Sequence, residues 1–265
     1  MRVILINLAR ATDRRDIMRA QFDAQHLPFE VLEATDGRTI TDIERNLVDH
    51  DQRKRITPYP LTDNEIGCWL SHRRAIASVA EGTEPMAVIL EDDTAITPEF
   101  ATTLAQIEQV GTPFDFIFLH RGFKRNEVFA SCRPLGNSNS MGRVGPMSMG
   151  CHAYVVSREG AQKFMARPKR FAHAVDKEIH RYWASGLDIY GLLIPVAKHA
   201  DKGKSYIDET RNHDKPQTRA RYGDADHLYW RWQRYLTRVR DSIAKRVAFP
   251  SYVRSGRLRV RGGTA

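Results

Sequence analysis

The sequence predicts an α/β fold with a mostly parallel central sheet flanked by helices, and three observations carry that expectation. Short apolar, β-branched runs alternate with helix-period segments from Val3 to Pro195. Phe114–Leu119 is apolar on both faces, as a strand in mid-sheet must be. With 265 residues, 42% hydrophobic and 28% charged, the chain can bury its own core and is unlike a disordered, collagenous or coiled-coil protein.

Taken in order, Val3–Leu8 reads as a buried strand. A helix follows to about Gln25, capped by Thr12 or Asp13, with Ile17, Met18, Gln21 and Phe22 on one face. Phe29–Ala34 reads as a second strand ended by the turn signal Thr35-Asp36-Gly37. Residues 38–61 are polar and basic and hold Pro58 and Pro60, which predicts a mobile loop with one short helix at most. Thr62-Asp63-Asn64-Glu65 is a capping box, and the helix it opens carries Ile66, Trp69, Leu70, Ile76 and Val79 inward before stopping near Gly82. Ala87–Leu90 is a strand that delivers Glu91, Asp92 and Asp93 at its carboxyl end. Thr97-Pro98-Glu99 opens a helix that Gly111 closes. Arg121–Pro146, rich in Gly, Ser, Asn and Arg, reads as a long loop or flap. Ala153–Val156 is a strand, Ser157 caps a short helix to about Arg167, and Leu187–Pro195 is the last strand. Ligands of such sheets sit outside the carboxyl ends of the strands.

Charge divides the chain into a domain, residues 1–227, and a basic helical tail, residues 228–265. The tail holds ten basic residues against Asp241 alone, which accounts for the whole net charge of +9. The first 227 residues balance at 31 basic and 31 acidic, so a nucleic-acid surface spread over the domain is not expected. No apolar run approaches the roughly 18 residues of a membrane span, and the short apolar start lacks a signal-peptide cleavage site. Three cysteines (Cys68, Cys132, Cys151) without a C-x-x-C pair suggest neither a disulfide framework nor a zinc knuckle, and favour a reducing cytoplasm.

The sharpest chemical feature is Glu91-Asp92-Asp93. Three acids at the end of an apolar strand need neutralising, and strand alternation turns Glu91 and Asp93 the same way with Asp92 opposite. Two hard oxygen ligands on one side suit Mg²⁺ or Mn²⁺ holding a substrate diphosphate; a solvated turn capping the next helix is the plainer alternative. Asn7, Arg10, Asp13, Arg14 and Arg15 follow a buried strand and open a helix, where amide donors and arginines make an anion cradle. No G-x-G-x-x-G and no Walker lysine is present. Ser71 and His72 are adjacent and make a poor nucleophile–base pair; Cys68 and His72 share a helix face, but two groups do not make a metal site. His72 and His152 read first as packed, hydrogen-bonded structural residues.

Together these segments resemble glycosyltransferase family 25, the lipopolysaccharide and collagen-type glycosyltransferases. The resemblance rests on I-N-L-x-R-x-x-D-R-R at 6–15, E-A-T-D-G at 33–37, G-C-W-L-S-H at 67–72 and L-E-D-D at 90–93. It continues in G-C-H-A-Y-V-V-S-R-E-G-A at 150–161, V-D at 175–176 and P-x-x-x-H-x-x-x-x-S at 195–205. It implies a GT-A-like nucleotide-sugar-binding fold, Mn²⁺ or Mg²⁺, a UDP-sugar donor, typically UDP-galactose, a glycan or glycolipid acceptor, and inversion at the anomeric carbon. By position it implies metal contacts from Glu91 and Asp93, with His199 a further candidate ligand. The nucleotide-sugar contacts would come from Asn7, Leu8, Arg10, Arg14, Asp36, Gly37, Ser71, His72, Asp92 and His152. Asp176 is the first choice for the catalytic base and Asp188 the second. The sequence departs from the family at Cys151, where a small hydroxyl residue or Gly is usual, and at His199, where glutamine is expected.

In the tail, Trp232, Tyr235, Leu236, Val239 and Ile243 fall at helical spacing, with Arg231, Arg234, Arg238 and Lys245 largely on another side. That pattern suits a helix lying on an anionic leaflet at the cytoplasmic membrane face; the alternative is an apolar stripe docked on the domain with its arginines solvated. Two other function classes compete: a metal-dependent phosphohydrolase or nucleotidyltransferase using the same acids, and a nucleic-acid binder with a basic arm. No nucleic-acid partner is expected, because residues 1–227 are balanced and the motifs keep the family's order.

Overall fold

The computed structural model describes all residues except 111–113, 122–125, 137, 146–149, 201–220, 253–256 and 262–265. Gly111, Ser205 and Arg254 therefore lie outside the described residues. The chain begins with β1 (Arg2–Asn7), α1 (Thr12–Asp23) and β2 (Glu30–Glu33). Next come α2 (Asp42–Arg45), α3 (His50–Lys54) and α4 (Asp63–Ala80), then β3 (Met86–Glu91), β4 (Thr94–Ile96), α5 (Phe100–Val110) and β5 (Phe116–Phe118). The hairpin β6 (Asn126–Leu135) and β7 (Asn139–Val144) leads to β8 (Ala153–Ser157), α6 (Arg158–Met165), α7 (Val175–Ile179) and α8 (Tyr182–Ser185). The chain continues with β9 (Ile189–Leu192), β10 (Ala197–His199), α9 (Leu228–Tyr252) and β11 (Arg257–Arg261).

The nine-stranded sheet has the order β11-β6-β7-β9-β5-β8-β3-β1-β2. The pairings set β2, β1, β3, β5, β9 and β6 in one direction, six strands of nine, with β8, β7 and β11 reversed. Most strands therefore run one way, as the sequence predicts, although interleaved reversed strands make three of the eight neighbouring pairs parallel and five antiparallel. Side chains alternate along β1 and β3 into two cores. Ile4, Ile6 and Ile89 meet Ile66, Trp69, Ile76 and Phe164 on one face, whereas Val3, Leu5, Val88 and Leu90 meet Met18, Phe22, Phe100 and Leu104 on the other. Burying each such side chain stabilises the fold by roughly 1.5–3 kcal/mol. Trp69 stacks on Phe171 at 3.9 Å, tying α4 to the segment ahead of α7.

Several expectations need correction. The Arg121–Pro146 stretch is largely a hairpin, not a loop; its ladder is broken by a register shift between Ala130 and Arg133, with Ser131 at φ 50°, so no clean alternation shows in the sequence. Residues 38–61 hold two capped helices: a second capping box joins Thr41 to Glu44, and Asp49 accepts from the Gln52 amide. The N-cap of α1 is Ala11, with no side-chain bond from Thr12 or Asp13, and Ile17 is exposed, not packed. The tail is not helical throughout, since β11 pairs antiparallel with β6 at the sheet edge.

Candidate functional site

The carboxyl ends of β2, β1 and β3 face the first turns of α4 across an open cleft of about 620 Å³. Arg10, Arg14, Asp36, Cys68, His72 and the three acids of β3 all line it, as do Leu8, Gly37, Asn64 and Ser71. This is the edge at which parallel α/β sheets hold ligands.

Two carboxylates in the cleft are clamped by the β1–α1 junction. Asn7 is buried and donates from Nδ2 to Asp92 Oδ2 at 2.8 Å and to the Ala11 carbonyl at 3.0 Å. Arg14 reaches Asp92 Oδ1 at 3.2 Å. Arg10 pairs with Asp36 at 2.5 Å, while Asp36 also accepts from the Arg38 amide and so fixes the turn beyond β2. Burial lifts the Asp92 pKa above the usual carboxylate range, against the pull of Arg14.

The wall opposite comes from α4, whose start is fixed by the capping box between Thr62 and Glu65. Its close approach needs glycine. A Cβ on Gly67 would sit 2.5 Å from the Thr35 carbonyl, and one on Gly37 would meet the Asn64 backbone at 2.8 Å. Ser71 accepts from the Thr35 amide at 2.8 Å and donates to the Gly67 carbonyl at 2.7 Å, so it holds the end of β2 in place rather than acting as a nucleophile. His72 is packed and hydrogen-bonded, as its sequence context suggests, and only 1% exposed beneath the cleft. Its Nδ1 lies 2.9 Å from the Tyr154 hydroxyl and its Nε2 3.1 Å from Glu91 Oε1. Burial opposes charge on His72, but Tyr154, Cys68 and Glu91 outweigh it and hold the pKa well above the imidazole norm.

The three acids at the end of β3 do not act as a single cluster. Glu91 turns in toward His72 and accepts from Cys151 Sγ at 3.2 Å, Asp92 meets Asn7 and Arg14, and Asp93 Oδ2 lies 3.2 Å from His199 Nε2. Each carboxylate has its own protein partner, so the expectation that only an added cation can neutralise them does not hold. The Asp93 bond raises the His199 pKa to about 9; burial alone would raise that of Asp93, but His199 brings it below the carboxylate norm. Asp93 Oδ1, however, is buried and receives no hydrogen bond. That orphaned hard oxygen is a donor of the kind that Mg²⁺ or Mn²⁺ takes.

Behind Asp93 lies a run of neutral histidines. His152 stacks near His120 with centroids 3.8 Å apart and lies 6.0 Å from His199. Burial pushes His152 to about 3, with His120 adding to the effect, and burial pushes His120 to about 4. The backbone carbonyl of His152, not its ring, organises the acid loop: it accepts from the Glu91 amide and from Thr94 Oγ1, each at 2.9 Å.

The structure separates the two proposed bases. Asp176 lies half-buried in the first turn of α7, and its charge acts on Cys151 and His180. Asp188 is not brought into the cleft. It precedes β9 at the opposite edge of the sheet and forms a two-pronged pair with Arg143, both contacts 2.7 Å. Sequence reasoning weighed Cys68 and Cys151 without giving them a role and passed over Tyr154 and His120, yet all four lie in or under the site. The first three belong to G-C-x-x-S-H and G-C-H-A-Y, two segments whose contact the sheet alone creates, and His120 carries no local signal.

A family model described as "Glycosyltransferase family 25 (LPS biosynthesis protein)" matches residues 1–179. Procollagen galactosyltransferase 2 of Homo sapiens is 28% identical over 171 residues, covering 62% of this chain and 27% of that protein. The "Probable inactive glycosyltransferase 25 family member 3" of Bos taurus is 30% identical over 184 residues, 66% of this chain and 30% of that protein. A glycosyltransferase 25 family member of Aedes aegypti is 29% identical over 171 residues, 62% of this chain and 27% of that protein. The chain thus spans less than a third of the length of these relatives.

Proposed function

The chain belongs to glycosyltransferase family 25, and from that membership we propose that it transfers a hexose, galactose from UDP-galactose, with inversion, to a lipopolysaccharide, lipooligosaccharide or other cell-surface glycan. The galactose and the acceptor are suggested by the printed names of the relatives and of the family. The observation that carries the reading is the buried, donorless Oδ1 of Asp93 in a cleft flanked by Arg10 and Arg14.

When bound there, Mn²⁺ would offset the charge that builds on the departing diphosphate. Asp93 and the second oxygen of Glu91 would hold it. Arg14 and Arg10, already ordered by Asp92 and Asp36, stand ready to donate to phosphate or ribose oxygens without reorganising. His199 Nε2, 3.2 Å from Asp93 Oδ2, stands beside the same oxygens, close enough to serve as a further contact to the cation. Asp176 would take the proton of the acceptor hydroxyl.

We further propose that α9 rests on an anionic leaflet at the cytoplasmic membrane face. The support is the side by which the helix docks. Buried Arg234 donates to the Lys54 and Ala225 carbonyls, Asp241 pairs with Arg181 at 3.5 Å, and Lys245 lies over the Trp183 ring. Trp232, Tyr235, Leu236, Val239 and Ile243 are left exposed. No helix among the described residues is long and apolar enough to cross a membrane.

Asp93→Asn tests the transfer reading, since it keeps the shape of the side chain and removes its charge. The expected result is a fall in transfer of about 100-fold or more, the scale of a lost electrostatic contribution to the transition state. Mn²⁺-dependent thermal stabilisation of the protein by UDP-galactose should be lost with it. Transfer at the wild-type rate, or a wild-type protein that UDP-galactose with Mn²⁺ fails to stabilise, would overturn it.

A further inference from the structure

Beneath the cleft, four side chains from three elements converge, of which a diphosphate-bound cation would use only one oxygen of Glu91. Cys68 and His72 lie one turn apart on α4, Glu91 ends β3, and Cys151 stands just ahead of β8. Ligand atoms of Cys68, His72 and Glu91 lie within 4.8 Å of one another. Cys151 Sγ lies 3.2 Å from Glu91 Oε1 and 3.6 Å from His72 Nε2, and that nitrogen is 3.1 Å from the same Glu91 oxygen.

We propose that Cys68, His72, Glu91 and Cys151 form a binding site for a thiophilic divalent cation, Zn²⁺ above all, distinct from the hard-oxygen position at Asp93. Two sulfurs, an imidazole nitrogen and a carboxylate oxygen are a zinc donor set, and softer than Mg²⁺ or Mn²⁺ selects. The spacing agrees with the chemistry. Tetrahedral zinc with ordinary bond lengths separates its N, O and S ligands by roughly 3.3–3.8 Å. The three distances among Cys151, His72 and Glu91 already lie within a few tenths of an ångström of that. Cys68, with its sulfur within 4.8 Å of the His72 and Glu91 ligand atoms, supplies the fourth corner.

The surrounding groups are set for a ligand role. The Tyr154 hydroxyl, fully buried, engages His72 Nδ1 and so fixes the ring with Nε2 aimed at the other three groups, which is how outer hydrogen bonds orient metal-bound histidines. Cys151 and His72 are buried, whereas Cys68 and Glu91 line the cleft, giving an ion a path inward. On binding, each thiol and the His72 Nε2 give up any proton they carry to solvent. Glu91 then serves two cations, one oxygen to each, so occupancy of the inner position ties α4 to β3 and β8 at the floor of the cleft. This assignment does not depend on the transfer reading.

Cobalt substitution in the full chain tests it. Co²⁺ added to metal-free protein should give one equivalent of a tetrahedral spectrum with a thiolate-to-cobalt charge-transfer band, displaced by Zn²⁺. Cys151→Ser and Cys68→Ser should each weaken the band and lower Zn²⁺ affinity by more than about 10-fold, the least that disturbing a metal site brings. Cys132→Ser, on the β6 strand, should change neither. Asp93→Asn should abolish transfer yet retain the band, which keeps failure of this site distinguishable from failure of the transfer reading. A folded wild-type protein with no charge-transfer band, or a band untouched by both Cys151→Ser and Cys68→Ser, would overturn the proposal. If one variant does not fold, the wild-type spectrum and the other variant still decide.

Discussion

His120, His152 and His180 sit where protonation costs most. His180 stacks on Phe118 at 4.1 Å, and burial brings its pKa to about 4, while His120 is at about 4 and His152 at about 3. An unfolded histidine titrates near 6.5, so from pH 6.5 down to about 4 the unfolded chain takes up protons that the folded chain refuses. Stability must fall as the pH drops through that window, by about 1 kcal/mol per pH unit for each histidine. His199 has the opposite sign. Its pKa is raised from 6.5 to about 9, so its contribution is full below pH 6.5, declines above it and is gone above about 9. Urea unfolding across pH 4–9 should therefore give a bell with its acid limb set by the three neutral rings. His120→Asn should make that limb shallower, and a flat profile between pH 4 and 6.5 would contradict the assignment of neutral buried rings.

At the level of elements, what the sequence makes legible is what local chemistry determines. The α4 capping box, the apolar β1 and β3 and the Ser157 cap of α6 appear as expected, because each is specified within a few residues. The β6–β7 hairpin is not legible, since its bulge and polar composition hide the period-two pattern, and the β4–β10 pair is too short to carry one. In the site, Arg10, Arg14, Asp36 and the β3 acids are legible as residues but not as partners: strand alternation places Glu91 and Asp93 together, whereas the turn after β3 sends them to His72 and His199. The Cys151–Glu91 contact joins positions 60 apart, and nothing local announces it. The α4–β2 contact yields a prediction at this scale. Gly67→Ala forces the Thr35 carbonyl to move, which should cost about 1–3 kcal/mol and loosen the 35–37 turn against which Arg10 is braced. Thermal unfolding and UDP affinity should fall together; loss of neither would mean that the approach is slack.

Across the whole molecule, charge and apolar surface are separated. The excess positive charge belongs to the tail, and α9 meets the body through Arg234, Asp241 and Lys245 while its apolar side faces outward with exposed Arg231, Arg238, Arg240 and Arg246. Basic side chains near an anionic surface are worth about 1 kcal/mol each. The full chain should co-sediment with anionic vesicles but not with neutral ones. Trp232→Ser combined with Leu236→Ser and Ile243→Ser, all at exposed positions, should abolish that binding without unfolding the domain; undiminished binding would count against the membrane role. The reversed direction of β8 has a different bearing. Because this strand starts where β3 ends, Cys151 and His152 enter beside Glu91 at the floor of the cleft. A strand that joins the sheet from the ligand end thus lends that floor a sulfur and a backbone carbonyl, which a parallel strand, entering from the far side, would keep out of reach.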